Sequence, residues 1–551
     1  MALPQKNILS PQTSSISQKP SGVLSSESNN LFTIAAIFIA SLIYYTSYSS
    51  YGYSESDWGG IVIAAERFLQ GDIFYKDFSI VYTPGIYLYT ALAFKIFGVK
   101  LWSATAAWGF ISAVNCLLIY ILGNKFFPRK LALLLPFVLW IIPGPPHKSF
   151  LVFFCLLHLL ILLRLLAVNN KGLYLFSGLV AGVSFIFRLD LLLSLVIPLL
   201  LVEFLKFLDP VNNVTRKSQV IVTIKNLTVF SAGIVIAISP LALYLYINSA
   251  LIEAVNQTIY FLGTAKSRLF LLPPLKDIFS WSIWDFSNYA VIFIPLGIYS
   301  LLLVELVKKI RAGQFSHADK MLLVFFIYGL LSMHQILRWP WAGRLYQILP
   351  PFIIANIYLI MRYYVNRNKQ GIKKPHFIFT GILAATNFVL FSLIISSLAM
   401  SDMYTNGSIL IRFTNTTSVS TPKASFYTTK EEAAHIHKII DIIEAETKKD
   451  EFIYIMQYYP MYYFITERRN ATKYYFLEAY VYSEEKQRDV VKELEDKKVK
   501  FIISGPNHPE TPEATVLNEY LNEHYKVIDI VGKKIFYKKI DNADHISHKS
   551  T

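Results

Sequence analysis

Charge is scarce in this chain. Of its 551 residues only 16% are Asp, Glu, Lys or Arg, against about 25% in ordinary soluble domains, while 54% are hydrophobic. That balance excludes a disordered chain and argues against a soluble globular protein. Cysteine is nearly missing: Cys116 and Cys155 both fall inside apolar runs, which excludes a disulfide framework and a thiolate metal site. There is no P-loop, no zinc-ligand spacing and no Gly-rich nucleotide fingerprint, so nothing points to a bound nucleotide.

Long apolar runs are what the chain has instead. A bilayer core needs about 20 apolar residues per helix, and such runs lie near 31–47, 102–123, 130–143, 149–167, 172–187, 189–208, 227–248, 289–307, 320–337, 346–362 and 377–399. About eleven crossings follow. The first 400 residues hold 31 basic and 14 acidic residues, a net of +17, and the rest hold 21 and 23, a net of −2. With a cytosolic N-terminus the inner loops carry Lys125, Arg129 and Lys130; Lys171; Arg216, Lys217 and Lys225; Lys308, Lys309 and Arg311; and Arg367, Lys369, Lys373 and Lys374. Every inner loop then obeys the positive-inside rule. Basic patches spaced by membrane crossings do not form a nucleic-acid surface, so no nucleic-acid partner is expected.

The expected organisation is a Ser-rich disordered tail at 1–30, a transmembrane domain at 31–400, a soluble α/β domain at 401–541 and a disordered end at 542–551. From a cytosolic N-terminus, eleven crossings leave the α/β domain outside a cell or plasma membrane, together with the loops at 48–101 and 249–288. In that loop Trp58, Ile61, Val62, Ala65, Phe68 and Leu69 recur at helical spacing, with Glu66, Arg67 and Gln70 on another face, which predicts a helix lying in the membrane interface. A second short helix is expected over 84–97, with Thr83 as N-cap and Pro84 first. Beyond 400, Thr429 and Glu432 form a capping-box pattern for a helix to about 447. FIYIM (452–456) and KFIIS (500–504) read as buried strands around a charged helix at 484–497, which suggests a parallel pair. A helix near 513–523 and a hairpin turning at Gly532 complete the domain.

Asp57 stands just after the first crossing. It is read either as the cap of a helix starting at Trp58 or as a general base, if a dry site raises its pKa. The stretch SDWGGIVIAAERFLQGDIFYKDFSIVYTPGIYLYTALAFKIFGVKLW resembles the first outer loop of the GT-C glycosyltransferases that use polyprenyl-phosphate sugars, the group with the dolichyl-phosphate-mannose protein mannosyltransferases and the lipid A aminoarabinose transferases. Asp57, Gly71, Tyr75, Asp77, Pro84, Gly85, Phe97 and Gly98 occupy the places of that pattern. GLVAGVSFIFRLD (178–190), GRLYQILPP (343–351) and YYPMYYFITERRNATKYYF (458–476) extend it loosely.

The resemblance implies a GT-C-like polytopic α-helical membrane protein with a C-terminal α/β domain, acting as a glycosyltransferase. It would transfer a hexosyl or pentosyl group from a polyprenyl-phosphate donor in the bilayer to a lipid, glycan or protein acceptor. Asp57 would be the base. Arg188, Arg344, Lys148 and Lys95 would bind the donor phosphate, and Asp77, Glu55 and Tyr82 would shape the acceptor side. No cofactor is required; a divalent cation is compatible, but the short loop PGPPHK (143–148) offers no second carboxylate.

Competing readings stand beside these. Lys95 and Lys148 fit snorkelling to headgroups, Arg188 fits an ion pair with Asp190, and His147 and His334 fit hydrogen-bonded loop residues. Nine tyrosines between 454 and 482 fit either an edge resting at the membrane interface or a glycan-stacking surface. A transporter or polysaccharide export component is the alternative function, although the internal repeats such proteins show are missing.

Overall fold

The computed structural model describes residues 27–142, 144–208, 215–265, 280, 282–337, 342–365, 380–381, 383–391, 411–456, 459–475, 483–505 and 514–540. The tails expected at 1–30 and 542–551 lie outside these, apart from 27–30, which begin the first helix.

Helix α1 (Glu27–Ser47) turns Leu31, Phe32, Ile39 and Ile43 outward, the pattern of a helix facing lipid. The chain then forms α2 (Asp57–Leu69), α3 (Gly85–Phe97) and α4 (Leu101–Gly123). Among the described residues, seven helices are long and apolar enough to cross a membrane: Leu101–Gly123, Pro146–Ala167, Leu189–Leu208, Arg216–Ile247, Asn288–Arg311, His317–Leu337 and Gly343–Tyr363. Each matches an expected run. Leu31–Ser47 and Lys171–Phe187 are apolar but shorter, and most of the run at 377–399 lies outside the described residues.

The run at 130–143 departs from a continuous helix. It is split into α5 (Arg129–Ala132) and α6 (Leu135–Ile141), with Pro128 before the first and Pro136 inside the second. Proline removes an amide donor and ends the helix before it. The split segment still returns along α1: the Arg129 guanidinium donates to the Thr33 hydroxyl at one end, and the Trp140 indole donates to Ser41 Oγ (3.2 Å) nearer the other. The chain therefore reaches residues 146–148 beside α2.

The remaining helices are α7 (Ser149–Ala167), α8 (Lys171–Phe187), α9 (Leu189–Leu208), α10 (Arg216–Ile247), α11 (Leu251–Ala265), α12 (Ile283–Arg311), α13 (His317–Ser332), α14 (His334–Leu337) and α15 (Ala342–Ile360). The strand-containing part follows. A hairpin, β1 (Thr417–Ser420) and β2 (Ser425–Thr428), precedes α16 (Lys430–Glu446), whose Thr429 hydroxyl accepts from the Glu432 amide. Strand β3 (Phe452–Ile455) runs parallel to β4 (Arg469–Asn470) and to β5 (Phe501–Ser504), with α17 (Met461–Ile465) and α18 (Glu484–Asp496) as connections. After α19 (Thr515–His524), β6 (Tyr525–Val531) and β7 (Lys534–Lys539) form the hairpin, and Gly532 takes the positive φ of 59° that its turn needs. The sheet order is β4-β3-β5-β7-β6.

Helix α2 differs from the interfacial helix expected. Residues Trp58 to Glu66 are all buried, because protein covers α2 on both sides: α3 and α4 beneath, α17 above. The Met461 amide donates to the Glu55 carbonyl (3.1 Å), the Tyr427 amide to the Ser50 carbonyl (2.8 Å), and the Ser79 amide to the Lys473 carbonyl (2.8 Å). Lys423 pairs with buried Glu66 at 2.5 Å. Arg67 binds Asp72 (2.5 Å) and donates to Tyr475 Oη (3.1 Å) and the Asp77 carbonyl (3.0 Å). Burial also decides the tyrosines: Tyr454, Tyr462, Tyr463, Tyr474 and Tyr475 are buried inside this seam and the sheet behind it, so they are neither a lipid-facing edge nor a sugar platform. Tyr459 is half-buried beneath Lys534, and Tyr458, Tyr480 and Tyr482 lie outside the described residues.

Candidate active site at the first loop

Asp57 is the first residue of α2, and no side chain caps the helix there. Its carboxylate turns instead to the loop ahead of α7. Lys148 Nζ and His147 Nε2 both stand 3.2 Å from Asp57 Oδ2. Among the described residues no hydrogen bond or ion pair reaches Oδ1, and the side chain keeps 23% of its surface exposed. The carboxylate is thus gripped by one oxygen and presents the other. The capping reading of Asp57 does not hold.

The loop is brought there by packing. Asn115 donates to the Ser149 carbonyl (2.9 Å) and Ser149 Oγ to the Trp108 carbonyl (3.2 Å), which ties the start of α7 to α4. His147 is fully buried. The Trp58 indole N–H donates to its Nδ1 (3.1 Å), and Trp108 packs edge-on against both rings. Burial pushes the Asp57 carboxyl up, but the Lys148 charge and the contacts of His147 and Lys148 outweigh it and hold it well below the usual carboxylate range. The raised pKa expected of a base is therefore reversed in the free protein.

A second polar cluster lies where α8 gives way to α9. Arg188 Nε is 2.7 Å from Asp190 Oδ1, and His334 Nε2 is 2.6 Å from Asp190 Oδ2. Arg344 Nη1 donates to the Gln335 carbonyl (3.4 Å), next to His334. The ion-pair reading of Arg188 is met, and the same contact leaves its side chain 27% exposed. One aromatic layer connects the clusters: Phe187, next to Arg188, packs on Phe150, two residues past Lys148, and on the Gly85 backbone, while Thr83 Oγ1 donates to the Phe185 carbonyl (3.2 Å). Thr83 is thus spent on α8 and does not cap α3, whose N-cap position is Pro84.

Among the described residues the other candidates make no hydrogen bond or ion pair with Asp57. Lys95 is exposed in the last turn of α3 beside exposed Leu92, Ile96 and Phe97. Asp77 closes a turn, its Oδ2 accepting from the Ile73 amide (2.7 Å). Glu55 accepts from Tyr462 Oη (2.5 Å) and pairs with Lys534 (3.0 Å), so it fastens the strand-containing part to the first loop. Tyr82 is half-buried, and its amide donates to Tyr87 Oη (3.2 Å). Trp58 and His147 are the contributors that sequence reasoning missed. Their adjacency to Asp57 and Lys148 was visible; their pairing across 89 residues was not. Among the described residues no three His, Cys, Asp or Glu side chains gather as a metal site.

No family model matches the chain, and no curated protein matches it in sequence. Solved structures do. ArnT of Cupriavidus metallidurans bound to undecaprenyl phosphate aligns with 94% of this chain and 99% of its own, at 12% identity and a TM-score of 0.51. The apo form covers 93% and 98% at 12% identity with a TM-score of 0.49. The oligosaccharyltransferase AglB of Archaeoglobus fulgidus, in complex with an inhibitory peptide and a dolichol-phosphate, covers 87% and 70% at 10% identity with a TM-score of 0.46. The first of these carries the conclusion on fold: the chain is a multi-pass membrane protein built on the GT-C architecture.

Proposed function

We propose that this chain is a membrane glycosyltransferase that moves a sugar from a polyprenyl-phosphate carrier to an acceptor hydroxyl at the outer face, with inversion. The fold shared with ArnT supports the general kind. The finer reading is carried by one observation: Asp57 is gripped through Oδ2 by a lysine and presents Oδ1 on its open side.

Chemically, the acceptor oxygen attacks the anomeric carbon as the bond from that carbon to the phosphate oxygen breaks. The bonding pair leaves with the polyprenyl phosphate, and the hydroxyl proton passes to Asp57 Oδ1. Charge grows on the departing phosphate, so cations aimed at it stabilise the transition state. Lys148 and Arg188, each near in sequence to one ring of the Phe150–Phe187 pair, would take that role, with Arg344 adjoining the second cluster. A phosphate that competes for Lys148 also removes the main influence lowering the Asp57 pKa, and burial then makes the carboxylate a stronger base. The acceptor would approach over Glu55, Asp77 and Tyr82. The N-terminus is cytosolic in this reading and residues 411–540 lie outside.

Transfer of labelled sugar from polyprenyl-phosphate donors by the purified protein tests the reading. Asp57→Asn at equal expression should fall by about 10²–10⁴-fold. Activity kept by that variant removes Asp57 from its role, and no transfer across a panel of donors and acceptors favours the transporter.

A further inference from the structure

His147 has no solvent to turn to. Its side chain is fully buried, as is Trp58, and an indole N–H is a donor with no acceptor capacity. Because Trp58 Nε1 donates to His147 Nδ1 at 3.1 Å, Nδ1 must carry a lone pair. The one proton of the neutral ring then sits on Nε2, which makes no hydrogen bond among the described residues and whose nearby acceptor is Asp57 Oδ2, 3.2 Å away but off the hydrogen-bond direction. A ring fixed in this tautomer cannot take a proton from substrate: Nδ1 is occupied by the indole and Nε2 is already protonated. It can only offer its N–H to Asp57.

We propose that Trp58 and His147 are positioning residues that hold Oδ2 of Asp57, so that Oδ1 alone meets the acceptor hydroxyl. The inference rests on the reading of Asp57 as base. Lys148 and His147 divide the work on the same oxygen: the ammonium supplies charge, and the imidazole, wedged between Trp58 and Trp108, supplies direction. A lysine on a flexible stem cannot fix a carboxylate plane alone; a buried ring with a single orientation can. The titratable groups facing the ring are Asp57 on α2 and Lys148 on its own turn. From α4 it meets the Trp108 indole, and Tyr346 of α15 packs against Gly144 three residues away.

Trp58→Phe removes the N–H and keeps most of the ring volume. Nδ1 is then free to take a proton. Either the other tautomer forms, with a lone pair facing the Asp57 carboxylate, or the ring becomes doubly protonated beside it. The rate acquires an ionisation of the freed imidazole.

Two measurements on the full chain in nanodiscs test this. In ¹⁵N-histidine NMR, with His147 assigned by subtracting the His147→Gln spectrum, wild type should show an unprotonated Nδ1 and a protonated Nε2 from pH 6 to 8. A protonated Nδ1 in wild type overturns the proposal whatever the variants do. In the transfer assay Trp58→Phe should lower kcat about tenfold or more, leave donor KM within about twofold, and add the new ionisation to the kcat profile. His147→Gln, which keeps an N–H near Nε2, should retain more activity than His147→Leu. An unchanged kcat profile in Trp58→Phe, or equal rates for the two His147 variants, sinks the positioning role while Asp57→Asn still reports separately on the base.

Discussion

A Cβ placed on Gly59 would stand 2.2 Å from the Met461 amide nitrogen. Helix α2 and helix α17 therefore touch backbone to backbone, two residues from Asp57, at a point where only hydrogen fits. Gly59→Ala forces the two apart, and overpacking of this kind costs about 1–3 kcal/mol. A lower midpoint of thermal unfolding, with transfer reduced more than stability alone predicts at the assay temperature, is the expected result.

Lys148 should act on both binding and pH dependence. The Asp57 carboxyl is held below the usual range, so the ion pair is present at every pH above about 4 and is lost only below it. Lys148→Gln removes the opposing charge and leaves burial to raise the carboxyl. The acid limb due to this group should then move to higher pH than in wild type, together with weaker donor binding by about tenfold or more. A rate profile across pH checks the first effect and donor KM the second.

Arg188 pairs with Asp190, which His334 also contacts. Arg188→Gln keeps the Asp190–His334 contact and removes the bidentate donor. Donor KM should rise about tenfold or more, with kcat for bound donor falling less.

Orientation is open to labelling, because Cys116 and Cys155 are both buried and give little background. Asp450→Cys should react with a membrane-impermeant maleimide in intact cells, and Arg311→Cys should react only after permeabilisation. The opposite pattern would place the catalytic loop on the cytosolic side.

The apolar runs and the period of the C-terminal strands were legible because they are local: hydropathy length marks a span, and FIYI and FIIS mark buried strands. The parallel pairing of β3 and β5 followed from the helix between them. What local pattern could not supply was the identity of the surface that an apolar stripe meets. Trp58, Ile61 and Ala65 look the same whether they face lipid or protein, so α2 was expected at the interface and is found under α17. The run at 130–143 reads as one span by hydropathy alone, and the break into two helices at Pro128 and Pro136 is not marked by that measure. Asp57 was legible as a candidate; its partners His147 and Lys148 arrive from a loop about 90 residues away, and no spacing rule covers that distance.

The cover over α2 also has a consequence for biogenesis. Helix α2 and its aspartate leave the ribosome early, whereas the segments that bury them, Lys423, Met461 and Tyr475 among them, are synthesised last. A nascent chain whose membrane helices are already inserted still has an open, unsupported first loop. That loop should reach its native packing, with Lys423 on Glu66 and the Met461 amide on the Glu55 carbonyl, only after the final domain has folded onto it.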